Sequence, residues 1–163
     1  MYYSTFTINN QLYAFELGYV QEYAESMVFT RLPIPSDSII GIANLRGQIV
    51  TVLDLKHRLL GEFQETNDID LQYVVIRAND SISKVKLDFE KLTTTKEPIA
   101  LMVDQRGGVM EIEKSNLKPS SSHGDESYKK YVCNMVELED EILLILDIQK
   151  VLGIEKENEE EED

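Results

Sequence analysis

One stretch of the chain repeats itself. IVTVLDLKHRLLG at 49–61 returns as ILLILDIQKVLG at 142–153 with one residue deleted. Each copy reads as an apolar strand, an aspartate, a short helical turn and a glycine, a unit too small to bury much surface alone. Two copies therefore have to pack together and share a core across their junction. The chain has 163 residues, which suits one compact domain or two very small ones with a common core and excludes a large multidomain enzyme. Short strands at regular spacing argue for barrels.

The remaining pattern fills in around the two copies. Tyr2 to Leu17 reads as two strands around Asn9-Asn10, a pair that tolerates the left-handed conformations of a tight hairpin, with Phe6 and Ile8 alternating with Thr5 and Thr7. Residues 19–40 read as an irregular connector, because Pro33 and Pro35 forbid a regular helix; Ser36 and Asp37 are placed to cap a single turn ending near Gly41. Ile42 to Leu45 and Gln48 to Leu55 form a hairpin bent at Arg46-Gly47, and the second strand, apolar on nearly both faces, belongs at the centre of a sheet. Lys56 to Leu60 makes a helical turn stopped by Gly61, before a polar loop over 62–70. Strands follow at Tyr73 to Ile76, at 83–89, where Val85, Leu87 and Phe89 alternate with polar residues, and, after a loop at 92–97, at Ile99 to Val103. Gly107-Gly108 marks a turn, 118–127 a Ser-rich loop, and Tyr131 to Leu138 pairs with Ile142 to Ile148 around Asp140.

Charge narrows the function. Thirty acidic residues against 16 Lys plus Arg give a net charge of -14, the wrong sign for polyphosphate or for an anionic membrane surface. Residues 155–163, EKENEEEED, carry seven of the acids and one lysine and read as a solvated, disordered tail. No apolar run approaches the roughly 20 residues of a membrane helix, and MYYSTFTINN lacks the pattern of a signal peptide. The single cysteine, Cys133, excludes an internal disulfide and fits a reducing compartment. The expected location is cytoplasmic.

Catalytic groups do not assemble. His57 and His123 have no metal-ligand partner at the usual spacing, so no metal is expected, and Cys133, flanked by Val132 and Met135, reads as a buried, inert thiol. Asp54 and Asp147 could divide acid and base roles. Each, however, precedes a helical turn whose free backbone N–H groups it can accept from, and duplication explains why there are two. Gly107-Gly108 lacks the Lys-Ser/Thr of a phosphate loop, so no nucleotide or other cofactor is expected. What remains is Val20-Gln21-Glu22 in a connector and Arg46 at a bend, and connectors on rigid scaffolds are where binding residues concentrate.

Those residues carry a resemblance. GIANLRGQIVTVLDL (41–55), preceded by LPIP and Val20-Gln21-Glu22, resembles the signature of the CheW family of chemotaxis coupling proteins, and the likeness runs from about Tyr3 to Gly153 through IALMVD, Lys118-Pro119 and LLILDIQKVLG. The resemblance implies a mainly β fold: two small five-stranded, Src-homology-3-like barrels packed together with short helical turns. It divides residues 1–154 into barrels at roughly 15–76 and 77–154, with the first strand open to joining the second barrel. It also implies a non-enzymatic adaptor between the cytoplasmic tip of chemoreceptors and the regulatory domain of a histidine kinase, associated with membrane receptor arrays.

By resemblance, Leu17, Val20, Glu22, Gly41, Arg46 and Val109 are receptor-side positions in a groove between the barrels, with Arg46 able to pair with Glu22. Gly47, Gln48 and Ile49, on the edge after the motif, are kinase-side positions. The plain alternative for Arg46 is a solvated arginine covering a sheet edge. The chain departs from the family pattern at Thr51, Asn134 and Arg106, where proline, glycine and an apolar residue are common, and at 81–97, which reads as an insertion. Rival classes are a nucleic-acid-binding barrel, opposed by the acidic charge and the absence of Trp, a standalone enzyme, and a coupling-like module of another receptor-kinase array.

Overall fold

Three two-residue turns set much of the strand register. Asn9 and Asn10 (φ 49° and 64°), Asp37 and Ser38 (49° and 69°) and Arg46 and Gly47 (53° and 82°) all take left-handed backbone, the type I′ geometry whose twist matches a right-handed hairpin. The structure is a computed structural model, and it describes residues 1–65, 71–78, 96–120 and 128–153. The first turn joins β1 (Tyr2–Ile8) to β2 (Gln11–Glu16). The second joins β4 (Phe29–Ser36) to β5 (Ile39–Leu45), and the third joins β5 to β6 (Gln48–Asp54).

With β3 (Val20–Ala24), β7 (Gln72–Ile76), β8 (Ile99–Val103), β9 (Gln105–Glu111), β10 (Lys118–Pro119), β11 (Val132–Glu137) and β12 (Ile142–Leu146), these strands form two sheets. One runs β10-β11-β12-β2-β1-β9 and the other β3-β7-β8-β6-β5-β4. The fold is mainly β and built as two units, as the resemblance implies. Each sheet has six strands rather than five, and among the described residues neither hydrogen-bonded order closes into a complete barrel. The chain starts in the first sheet, builds the second from β3 to β8, and returns to the first with β9.

The sequence echo extends to individual hydrogen bonds. β6 leads into α1 (Leu55–Leu60) and β12 into α2 (Ile148–Leu152). The backbone N–H of Asp54 donates to Ser38 O just before β5, and that of Asp147 donates to Tyr131 O just before β11, both at 2.8 Å. Each aspartate then caps its helix: Asp54 Oδ1 accepts from His57 N at 3.2 Å, and Asp147 Oδ1 from Gln149 N and Lys150 N at 3.0 and 3.3 Å. Gly61 (φ 81°) and Gly153 (φ 72°) end the helices in left-handed backbone. Each repeated strand also has a parallel neighbour, β8 beside β6 and β2 beside β12.

Three apolar clusters follow from strand alternation. Phe6, Ile8, Phe15, Leu53, Val74, Leu101, Leu146, Leu59 and Val151 meet in a central core drawn from both sheets and both helices. Alternate residues of the same strands turn outward into two smaller cores, Val50, Val52, Tyr73, Val75 and Ala100 in one sheet and Tyr3, Ala14, Val136, Leu143 and Ile145 in the other. Strands buried on both faces read as continuous apolar runs, hence IALMV and ILLIL.

Several expectations change. Residues 19–40 are not an irregular connector: they hold β3, β4 and the Asp37-Ser38 turn. Pro33 and Pro35 fit because β4 is an edge strand with an irregularity between Arg31 and Ser36, where a missing N–H breaks no ladder bond. Gly107 and Gly108 lie within β9, not in a turn; a Cβ on Gly107 would collide with Thr5 Oγ1. Lys118-Pro119, assigned to a loop, forms the short β10. Cys133 is exposed rather than buried, although packing around its sulfur, then the Asp147 carboxylate, pushes the thiol up to about 11. The strand at 83–89, most of the insertion at 81–97 and the acidic tail at 155–163 lie outside the described residues.

Candidate partner-binding site

Glu22 sits on β3, the first strand of its sheet, and Arg46 sits at the β5–β6 turn, three to four strands away. At about 4.8 Å per strand a flat sheet would hold them roughly 14 to 19 Å apart. Arg46 Nη1 nevertheless donates to Glu22 Oε2 at 2.8 Å. The sheet is rolled, and the ion pair spans its open rim beside Leu45, which packs on the outer core. The Arg46 side chain is 76% exposed and that of Glu22 18%, so a sheltered carboxylate positions a guanidinium that still faces solvent.

Arg46 holds that place at a cost. A side chain with a Cβ in left-handed backbone is disfavoured by about 1–2 kcal/mol. Asn44 helps to fix the turn, its Oδ1 accepting from Gly47 N at 2.8 Å.

Tyr23, next to Glu22, points the other way and ties the sheets together. Its hydroxyl donates to Thr5 O at 3.1 Å and lies 2.8 Å from Ser4 Oγ, both on β1. Burial raises the phenol above its ordinary range, while the Ser4 hydrogen bond and the Arg106 charge pull it back. The Arg106 guanidinium lies 6.0 Å from the ring centroid, and Arg106 N donates to Gln72 Oε1 at 2.5 Å, joining β9 to β7. Ser4 faces Val109 across the β1–β9 ladder, and Val109 is 60% exposed. Tyr23 thus ties the strand that carries Glu22 to β1, whose buried Ser4 is the ladder partner of exposed Val109 on β9. Sequence reasoning missed Tyr23; its signal was a phenol beside the motif glutamate.

The other receptor-side candidates separate. Leu17, partly exposed, opens a short 3-10 turn at 17–19, where the chain crosses between sheets. Val20 is buried in the central core. Two residues apart on a regular strand, Val20 and Glu22 would share a face, but an irregularity at Gln21 puts Val20 inward and Glu22 on the rim. Gly41 is buried as well, and a Cβ there would collide with Thr30 O and approach the Phe29 ring to 2.6 Å. Its glycine is explained by the close packing of β4 on β5.

On the kinase-side edge, Gly47, Gln48 and Ile49 are exposed. β8 pairs with β6 only from Thr51 onward, so among the described residues Gln48 to Val50 are paired on the β5 side alone. Ile49 and Ile42 add apolar surface on one face. Of the departures from the family pattern, Asn134 Nδ2 donates to Lys118 O at 3.3 Å, holding β10.

The two carboxylates considered for acid and base roles, Asp54 and Asp147, are committed to backbone N–H groups. Asp54, buried, accepts from Gln64 N at 2.7 Å as well as from His57 N, and burial raises its carboxyl above the usual range against those bonds. Among the described residues no three His, Cys, Asp or Glu side chains gather as a metal site.

A model of the CheW-like domain matches residues 3–156. The chain belongs to the CheW-like family. Among its relatives, the chemotaxis protein CheW of Klebsiella aerogenes is 25% identical over 93% of this chain and 81% of its own length. The chemotaxis protein CheW of Bacillus subtilis is 31% identical over 52% of this chain and 62% of its own length, and that of Helicobacter pylori 29% identical over 51% and 50%. In structure, the chain matches the scaffolding protein TtCheW from Thermoanaerobacter tengcongensis with a TM-score of 0.72 over 97% of both chains at 21% identity, which supports the CheW-like fold.

Proposed function

We propose that this CheW-like chain is a non-enzymatic adaptor that couples chemoreceptors to a histidine kinase in chemotaxis signalling. The observation that carries the reading is the Glu22–Arg46 pair, which brings the two polar residues of the family motifs together across the rim of a rolled sheet. The receptor-side surface comprises Arg46, Glu22, Leu17 and Val109, where exposed apolar groups can meet the hydrophobic face of a helical receptor tip while the charges set its geometry. Val20 and Gly41 support that surface from within.

The kinase-side surface comprises Gly47, Gln48 and Ile49, whose strand edge, unpaired on the β8 side among the described residues, and exposed isoleucine suit the regulatory domain of the kinase. The two sheets serve as the two barrel subdomains, a division that differs from one at 76–77 because β8 pairs between β6 and β7, and the protein works in the cytoplasm at receptor arrays. Phosphotransfer in mixtures of purified kinase and receptor tests the proposal. Receptor control of the kinase is expected only when this protein is present, and equal control without it overturns the reading.

A further inference from the structure

Resting on the receptor-coupling reading above, we propose that Arg106 selects the receptor: the helix that docks carries a carboxylate opposite Arg106, one turn from an apolar side chain that covers Val109. Arg106 and Val109 are three residues apart on β9 and on a regular strand would face opposite ways. Between Ser4 and Phe6, however, two steps along β1 match three steps along β9, from Val109 to Arg106. The extra residue is taken up at Gly107-Gly108, where Thr5 Oγ1 donates to Gly108 O at 2.9 Å and fills the place a Gly107 Cβ would need. Val109 and Arg106 therefore share the face of Ser4 and Phe6, which is the face turned to the junction between the sheets.

Both residues are exposed, and Arg106 is anchored. Its backbone N–H is held by Gln72 Oε1, and its guanidinium lies over Tyr23, whose hydroxyl is itself fixed to β1. Among the described residues the Arg106 guanidinium makes no ion pair, whereas that of Arg46 is matched by Glu22. Two residues of β1 span about 6.8 Å, which is close to the pitch of an α-helix, about 5.4 Å. A helix lying on Val109 therefore covers Arg106 as well. Covering a guanidinium without an acceptor leaves it desolvated and unpaired, a cost that a carboxylate removes by accepting its N–H groups.

Titration of the full chain and its variants with a receptor-tip fragment from the same organism tests this. Arg106→Glu should bind at least about tenfold more weakly and Arg106→Lys within about threefold of the parent, and raising salt from about 0.05 to 0.5 M should weaken the parent more than Arg106→Gln. Each Asp and Glu of the fragment is then replaced by Lys in turn. At one of them, a turn away from an apolar residue, the Lys fragment should bind the parent at least about tenfold more weakly and recover at least about fivefold on Arg106→Glu. Such recovery also separates a lost contact from a disturbed fold, since a misfolded variant gains nothing from a changed fragment. Equal binding by Arg106→Glu, tighter binding by Arg106→Leu, or the lack of any acid whose reversal restores binding overturns the proposal while the receptor reading stands. Failure of the parent to bind the fragment overturns the receptor reading, and the proposal with it.

Discussion

Arg46 shows how one residue can be poorly suited to its backbone and well suited to its neighbours. Asparagine fits the first position of a type I′ turn better than arginine does. Arg46→Asn should relieve strain while losing an exposed ion pair of about 0–1 kcal/mol, so stability should stay within about 1 kcal/mol of the parent or rise. Thermal unfolding measures the first effect, and titration with a receptor-tip fragment should show at least about tenfold weaker binding, a loss of about 1.4 kcal/mol. A large fall in melting temperature, or unchanged affinity, would return Arg46 to a structural role. Glu16 presents the opposite case. Burial raises its carboxyl above the usual range, its Oε2 has no partner among the described residues, and it faces Tyr3, whose phenol is pushed up to about 12 by burial and then by Glu16 itself. A carboxyl raised on folding supports stability below its unfolded value of about 4.3, and that support is lost as pH rises through the folded value. Glu16→Gln should therefore stabilise by about 1 kcal/mol at neutral pH and by nearly nothing near pH 4. Urea midpoints of both proteins at the two pH values decide it.

Among the elements, the repeated strand-aspartate-helix unit was the part most legible in the sequence, because the cap, the helix and the glycine stop are local chemistry. The hairpins at Asn9-Asn10 and Arg46-Gly47 were legible for the same reason. The strands β3 and β4 were not, since Pro33 and Pro35 give the same local signal in a loop as in an edge strand, and only the neighbouring β5 distinguishes the two. The irregularity at Gln21 was equally silent, and it decides which of Val20 and Glu22 reaches the surface. The two caps should differ in weight. Asp147→Ala removes bonds at one helix start and should cost about 1 kcal/mol. Asp54→Ala also strands Gln64 N beside a buried site and should cost about 2–3 kcal/mol. Denaturant titration of the pair tests the order, and equal costs would mean that Gln64 finds another acceptor. Gly41→Ala should unfold the protein partly or wholly, so weaker partner binding by that variant would report the clash with Thr30 and not a lost contact.

For the molecule as a whole, the central core draws on both sheets and both helices, so neither sheet keeps its inner face dry alone. Unfolding should be a single transition. Hydrogen exchange in β6 and β12 should become unprotected at the same urea concentration, and two separate midpoints would show that the sheets are independent. Leu101→Ala, which opens a cavity in that shared core, should cost about 2–5 kcal/mol and shift both strands together.

The nesting of one sheet within the path of the other also decides what a break in the chain would do. A cut anywhere between 78 and 96 leaves two pieces, neither of which owns a complete sheet: β8 of the second piece lies between β6 and β7 of the first, β9 lies against β1, and β12 against β2. The pieces would be interlocked rather than separated. Two halves made independently should complement each other, and neither alone should hold the rim on which Glu22 meets Arg46.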